Sequence, residues 1–246
     1  MSCEIIIRRA REGDAVQRAE LIQMGLLSYQ WDSFIYFLFQ ELTLECVLLG
    51  SAVLFIFCGA APAGCALLLP AAAALVAAAV AVAHRALASA HAQRMRGEMF
   101  GLVAEARGPL RLGAPPGPVP IYTELQHCPP TQHDVHSKVV GTLSVSAYRA
   151  PGELALDHEV GWLHALAVHT QWRRRGVGRA LAGAARRAAA GRGLRALEAL
   201  TSDLQRPARA LLHAQGWQCR GTYDRRLVGA ALTLQLARLG LDLPHA

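Results

Sequence analysis

The run from Trp162 to Ala190 changes character part-way, and that change limits what this chain can fold into more than any other feature. Trp162 to Val168 is almost continuously apolar, as a buried strand is, whereas Arg179 to Ala190 is an Ala-rich helix former. Between them lies Arg173-Arg174-Arg175-Gly176-Val177-Gly178. A strand that runs through a glycine loop into a helix exposes unpaired N–H groups at the helix N-terminus, and glycines let an anion approach them without a Cβ in the way. Arginines at the same turn supply matching charge. Two other phosphate loops fit poorly. No Lys-Ser/Thr follows the second glycine, and Leu181 stands where a dinucleotide-binding loop needs its third glycine.

Other segments fall into order around this junction. Glu4 to Arg8 is a short β-branched run, followed by a helical stretch with Val16, Leu21, Ile22 and Leu26 on one face. Phe100 to Ala106 and Lys138 to Val145 read as strands, as does Arg195 to Thr201, and Pro207 to Trp217 reads as a helix that ends in a Gly-Trp pair. Arg-x-x-Gly-x-Gly after an apolar strand, in this company, resembles motif A of the GCN5-related N-acetyltransferases. That resemblance covers Glu4 to Arg11 and about Phe100 onward. It implies an α/β chain with the fold of that family, a mixed central sheet flanked by helices, and acetyl-CoA as co-substrate. The competing local reading is an Arg-rich turn before an exposed helix.

Cys46 to Ala83 holds no charged residue and is too continuously apolar to be one face of a soluble helix. One bilayer crossing takes about 20 residues, so this stretch has the length for two, with Pro62-Ala63-Gly64 as the turn and Pro70 as a kink in the second helix. A cleaved signal peptide fits badly, because the apolar stretch starts far from Met1. A hairpin buried in an oligomer is the other reading. If the first strand and the strands after Phe100 share one sheet, both flanks must lie on one side of a bilayer, which two crossings satisfy. Arg8, Arg9, Arg11 and Arg18 precede the insertion and Arg85, Arg94 and Arg96 follow it, which by the positive-inside rule places the catalytic domain in the cytosol.

The formal charge of +7 is weak evidence for a nucleic-acid partner, because Lys138 is the only lysine and the excess of Ala, Arg, Gly and Pro reflects a general bias. No aromatic-and-basic stripe or zinc spacing accompanies it, so no nucleic acid and no metal are expected. The six cysteines show no pairing framework, which suits a reducing compartment. His133 and His136 form one His-x-x-His pair, but two ligands in a loop make a poor metal site.

A hydrophobic hairpin placed between the first helices and the second strand, together with Ser137-Lys138-Val139-Val140-Gly141-Thr142, resembles the membrane-bound camello-type N-acetyltransferases of family 8. That branch implies an endoplasmic-reticulum, multi-pass membrane enzyme, with a cysteine-S-conjugate or a protein lysine or N-terminal amine as acceptor. The expected organisation is the first strand and helices over 1–40, the transmembrane hairpin over 41–84, and the rest of the acetyltransferase domain over 99–246 with a Pro-rich surface loop at 107–137.

By the same resemblance, Leu166, Ala167 and Val168 offer backbone groups to the pantetheine arm, while Arg173, Arg174, Arg175, Gly176, Val177 and Gly178 hold the pyrophosphate and Arg179 adds charge. An acceptor ammonium must lose a proton as it attacks, and Glu159 and His164 are the candidate bases, with Glu198 a third. The family often carries a tyrosine four residues before the glycine of its Gly-aromatic pair. This chain has Leu212 there; His213, Cys219 and Tyr223 are the available substitutes. A catalytically inactive acetyltransferase-fold module at the membrane is the alternative that Leu212 motivates.

Overall fold

The computed structural model describes residues 3–108, 117–123, 136–148, 157–228 and 232–244. His127 and His133 and most of the Pro-rich stretch lie outside the described residues. The elements follow the expected order: β1 (Glu4–Arg9), α1 (Ala15–Leu27), α2 (Gln30–Leu38), α3 (Glu41–Cys58), α4 (Pro62–Ala66), α5 (Leu68–Met95), β2 (Phe100–Gly108), β3 (Ile121–Thr123), β4 (His136–Tyr148), β5 (Asp157–Val168), α6 (Val177–Ala190), β6 (Ala196–Ser202), α7 (Arg206–His213), β7 (Gln218–Val228) and β8 (Leu232–Asp242). The strands make one eight-stranded sheet in the order β3-β1-β2-β4-β5-β6-β8-β7. It is mixed: β1 with β3 and β5 with β6 are parallel pairs, and the other neighbours are antiparallel.

Alternation along the strands assigns the two faces. Leu143, Val145, Leu163, Leu197 and Leu239 point to the side where α6 lays Leu181, Ala182, Ala185 and Ala189 and α7 lays Leu212. The opposite side of β4 carries Thr142, Ser144 and Ser146 towards α1 and α5. On α1, Leu21, Ile22 and Leu26 are buried as the periodicity predicts, but Val16 is exposed. Pairing of Val16 with that stripe is thus corrected: it stands in the first turn, on the side away from the sheet.

β1 and β2 are adjacent and antiparallel, with Arg9 opposite Leu102 and Glu4 opposite Arg107. The whole insertion therefore leaves and re-enters the domain between two hydrogen-bonded neighbours. α3 ends at Gly59 in a left-handed C-cap, and α4 rather than a bare turn leads to α5. Pro70 sits in the first turn of α5, where no intrahelical N–H bond is lost, so it need not kink the helix. α3, and the Pro62–Met95 segment formed by α4 and α5, are long and apolar enough to cross a membrane by length and composition, with mean hydropathy of 2.0 and 2.5. They leave Leu48, Phe57, Leu69 and Leu75 exposed. α5 continues past Ala83 and packs its last turns on α1 and α2.

Two arginines read from the sequence as flanking charges are instead structural. Arg8 is buried, bonding both Asp14 and Glu105, and Arg107 completes the group. Arg18 is buried beside Thr142 and Ser144 and pairs with Glu98 at 2.7 Å, joining α1 to the residue that leads out of the hairpin. Gly101 makes room for that clamp, since a Cβ there would meet the Arg18 guanidinium at 2.6 Å. The exposed arginines at the hairpin flanks are Arg9, Arg11, Arg85, Arg94 and Arg96. Within the Pro-rich stretch, β3 adds an edge strand beside β1 that the expectation of a loop over 107–137 did not contain.

Candidate active site

The site is built where β5 leaves β6. Their parallel ladder runs from Val160/Ala196 to Leu163/Ala199 and stops, while β6 continues to Ser202 paired with β8. On its other edge β5 is bulged, because Ala165 and Leu166 together oppose Leu143 between the Ser144/His164 and Thr142/Ala167 pairs. Ala165 takes a φ of 54°, a left-handed conformation that costs an alanine energy. The bulge and the lost ladder leave Leu166, Ala167 and Val168 at the edge of a wedge between β5 and β6. On that side the segment has no strand partner, and the Val168 carbonyl accepts from Arg173 Nε.

The wedge leads to the start of α6. His169 N–H donates to the Val140 carbonyl at 2.8 Å, Trp172 is buried in a short 3₁₀ turn, and Arg174 and Gly176 take φ values of 63° and 82° to reverse the chain. Ala180 donates the first bond of the helix, to Gly176. The N–H groups of Val177, Gly178 and Arg179 thus have no intrahelical acceptor, and no side chain among the described residues caps them. Gly178 packs so closely on α7 that a Cβ would meet Leu211 Cδ1 at 2.9 Å. A bare backbone, free donors and a helix dipole at one point suit the pyrophosphate of a CoA thioester.

The arginines divide. Arg173 is held in place, with Nε donating to the Val168 carbonyl at 3.1 Å and Nη2 to Ser28 Oγ at 3.1 Å. Arg175 reaches the Gly117 carbonyl and stacks over Trp172. Arg174 and Arg179 project into solvent beside the loop.

His164 is buried on the α1 side of the sheet, 6% exposed, with Nε2 bonded to Ser146 Oγ at 2.8 Å. Burial above all, with the neighbouring His91 and the Arg94 and Arg18 charges, pushes its pKa down to about 4 against the opposing pull of Glu98. It is therefore neutral at pH 7, and its Nδ1 has no partner among the described residues. Glu159 is elsewhere. It starts β5, its side chain is 74% exposed beside Arg195, and roughly 20 Å of strand separates it from Leu166. The structure does not bring Glu159 and His164 together, because five residues apart on a strand they face opposite sides.

Glu198 shares the face of His164, paired opposite Trp162 on β6. Its carboxylate is buried between Arg220 at 3.0 Å and Arg238 at 3.4 Å, and Arg238 also donates to Tyr148. Leu212 is packed in the core on α7, His213 bonds the Trp217 carbonyl, and Tyr223 lies on the Leu236 side of β7, the face of Glu198. A cavity of about 340 Å³ opens between α1 and the start of β4, lined by Gln17, Glu20, Met24, Lys138 and His169. His169, which borders both this cavity and the motif loop, is made less basic by partial burial, Lys138 and Arg173.

The model of the acetyltransferase (GNAT) family matches residues 106–217, from β2 to the Gly-Trp pair. Those residues are a GNAT acetyltransferase domain. The match makes the protein an acyltransferase with acetyl-CoA as its donor, and it takes in the wedge, the glycine loop and α7 but not β1, the hairpin, β7 or β8. A search of curated proteins gives no match. Solved structures give distant likenesses. An N-acetyltransferase from Staphylococcus aureus Mu50 is 12% identical over 98% of this chain and 99% of its own, with a TM-score of 0.47. A Salmonella typhimurium protein described as an acetyltransferase, solved with its cofactor acetyl-CoA, is 13% identical over 99% and 96%, with a TM-score of 0.49. An IAA acetyltransferase from Bacillus cereus ATCC 14579 is 17% identical over 65% and 84%, with a TM-score of 0.39. None is near enough to transfer residue roles to this acetyltransferase domain.

Proposed function

We propose that this protein is a membrane-anchored N-acetyltransferase that moves acetyl from acetyl-CoA to a primary amine of the cysteine-S-conjugate or protein-amine class. The wedge between β5 and β6, opening onto the free N–H groups of Val177, Gly178 and Arg179, carries the reading. Acetyl-CoA supplies the acetyl group as a thioester. Leu166 to Val168 hold the arm by backbone pairing, as an added strand is held, while Gly176 to Arg179 and the surrounding guanidinium groups hold the pyrophosphate. The neutral His164 takes the proton that the amine loses as its nitrogen bonds the carbonyl carbon.

Anchoring is supported by the exposed apolar surfaces of α3 and α5 and by the adjacency of β1 and β2, which puts both ends of the hairpin on one side of a bilayer. The exposed Arg85, Arg94 and Arg96 favour the cytosol for that side. Placement in the endoplasmic reticulum, and the two acceptor classes, rest on the resemblance to the camello-type branch.

The test is transfer from labelled acetyl-CoA by the full-length protein in detergent, against S-substituted cysteines, polyamines and lysine peptides, with Gly176→Asp/Gly178→Asp as control. Transfer lost in the control supports the reading. Saturable CoA binding without transfer to any amine would favour an inactive module, the alternative that the core position of Leu212 supports. For sidedness, an N-glycosylation acceptor is inserted after Gly193, in a chain that has no asparagine of its own. Its glycosylation in microsomes would overturn the cytosolic placement.

A further inference from the structure

The last turns of α5 bring a second imidazole to His164. The rings of His91 and His164 lie 6.3 Å apart between centroids and 25° from parallel. Each has a buried Nδ1 with no protein partner among the described residues. Buried ring nitrogens are rarely left so, and two neighbouring imidazoles that each carry one make a site that can hold or pass a proton. His91 is half-buried whereas His164 is almost wholly enclosed. The proton therefore has an outward direction.

We propose that His91 is the second member of a histidine pair, receiving through Nδ1, over at most one water, the proton that His164 removes from the acceptor amine. In balance, the amine nitrogen forms a bond to the acetyl carbon, the carbon–sulfur bond breaks to release thiolate, and the amine proton passes to His164, then to His91, then to water. This rests on the acetyltransferase reading of the same site. It also gives α5 a role in the chemistry, since the helix that rises from the apolar hairpin ends in the ring that serves His164.

The groups facing the pair are few. Ser146 on β4 fixes Nε2 of His164. Arg18 on α1 is neutralised by Glu98, next to the end of α5, and Arg94 lies one turn beyond His91 on α5 itself. A charge on His164 is disfavoured beside His91, Arg94 and Arg18 and favoured by Glu98. An enclosed His164 with a pKa of about 4 holds a proton poorly and needs somewhere to send it.

The experiment compares wild type, His91→Gln and His91→Ala as full-length protein in detergent, following acetyl transfer from acetyl-CoA across pH 5 to 9. The expected result is a fall in kcat on the order of tenfold or more with KM for acetyl-CoA unchanged, a shifted acid limb in the pH profile, and recovery of His91→Ala with added imidazole. A loss equal at every pH with no imidazole recovery, or no loss at all, would overturn the proposal. If wild type transfers acetyl to no amine, the functional reading fails by itself and the pair is read separately, by NMR titration of labelled histidines. A His164 midpoint that moves in His91→Gln supports the coupling; an unmoved midpoint ends it.

Discussion

Arg220 lies across Gly240. The strand pairing sets Gly240 opposite Glu198 on one side and Gln218 on the other, and the Arg220 side chain passes over the bare glycine to reach the Glu198 and Asp242 carboxylates. A Cβ on residue 240 would collide with the guanidinium stem. Glycine at this strand position serves a buried ion pair on the face of the candidate site rather than a turn.

Gly240→Ala should therefore displace Arg220 and leave the Glu198 carboxylate, 4% exposed, with only Arg238. The expected loss is about 1 to 3 kcal/mol. Thermal unfolding of the full-length protein in detergent reads it. An Arg220→Ala/Gly240→Ala double variant should lose no more than Arg220→Ala alone, because the clash has gone with the side chain.

Gly178→Ala places a methyl 2.9 Å from Leu211 Cδ1 and pushes the start of α6 away from α7. CoA affinity should fall on the order of tenfold by calorimetry, through donors moved off line rather than through charge. Leu211→Ala in the same chain should recover much of it. If Gly178→Ala binds CoA as wild type does, the N–H groups of Val177 to Arg179 are not the cradle.

The motif loop was legible because its signal is local: the apolar strand, the glycines and the helix former are contiguous. The bulge at Ala165 left no such mark. Its left-handed φ is a tertiary effect, and no Gly or Asn announces it. Glu159 was misread because a single strand shows which carboxylates exist but not which end of the wedge they reach. Arg8 and Arg18 looked like topogenic surface charge for a related reason. Their partners Glu105 and Glu98 lie 97 and 80 positions away, so only the folded sheet reveals that they are structural. Nothing in the sequence points to His91, because its neighbour His164 stands far along the chain on β5.

The Arg8 group makes acid a specific threat to the β1–β2 end of the sheet. For Asp14, burial alone would raise the pKa, but the bond from Arg8 and the Arg11 backbone N–H outweigh it and hold the carboxyl below its ordinary range. For Glu105, burial is likewise outweighed, by the bonds from Arg107 and Arg8. Carboxylates with lowered folded pKa values contribute stability that is present above the unfolded pKa and lost as pH falls through the folded one. Unfolding followed from pH 6 to pH 3 should show that loss beginning below about pH 4.5, and Glu105→Gln should shrink the pH slope while lowering stability at pH 6. An unchanged slope in Glu105→Gln would remove the group from the account.

His164 loses stability in a higher window. Its folded pKa of about 4 lies below the ordinary 6.5, so the unfolded chain binds the proton first, and stability falls as pH drops from about 6.5 to 4. The full effect is roughly 3 kcal/mol. His164→Gln should keep a bond to Ser146 and abolish that part of the pH dependence, leaving the carboxylate loss below about pH 4.5 in place. The same substitution removes the proton acceptor, so acetyl transfer should fall on the order of a hundredfold at pH 7 while CoA affinity holds. The two readouts separate the roles of the ring. Stability that becomes flat from pH 6.5 to 4.5 with undiminished transfer would make His164 a buried core histidine and move the search for the base to Glu198; transfer lost with CoA binding intact keeps it at the reacting amine.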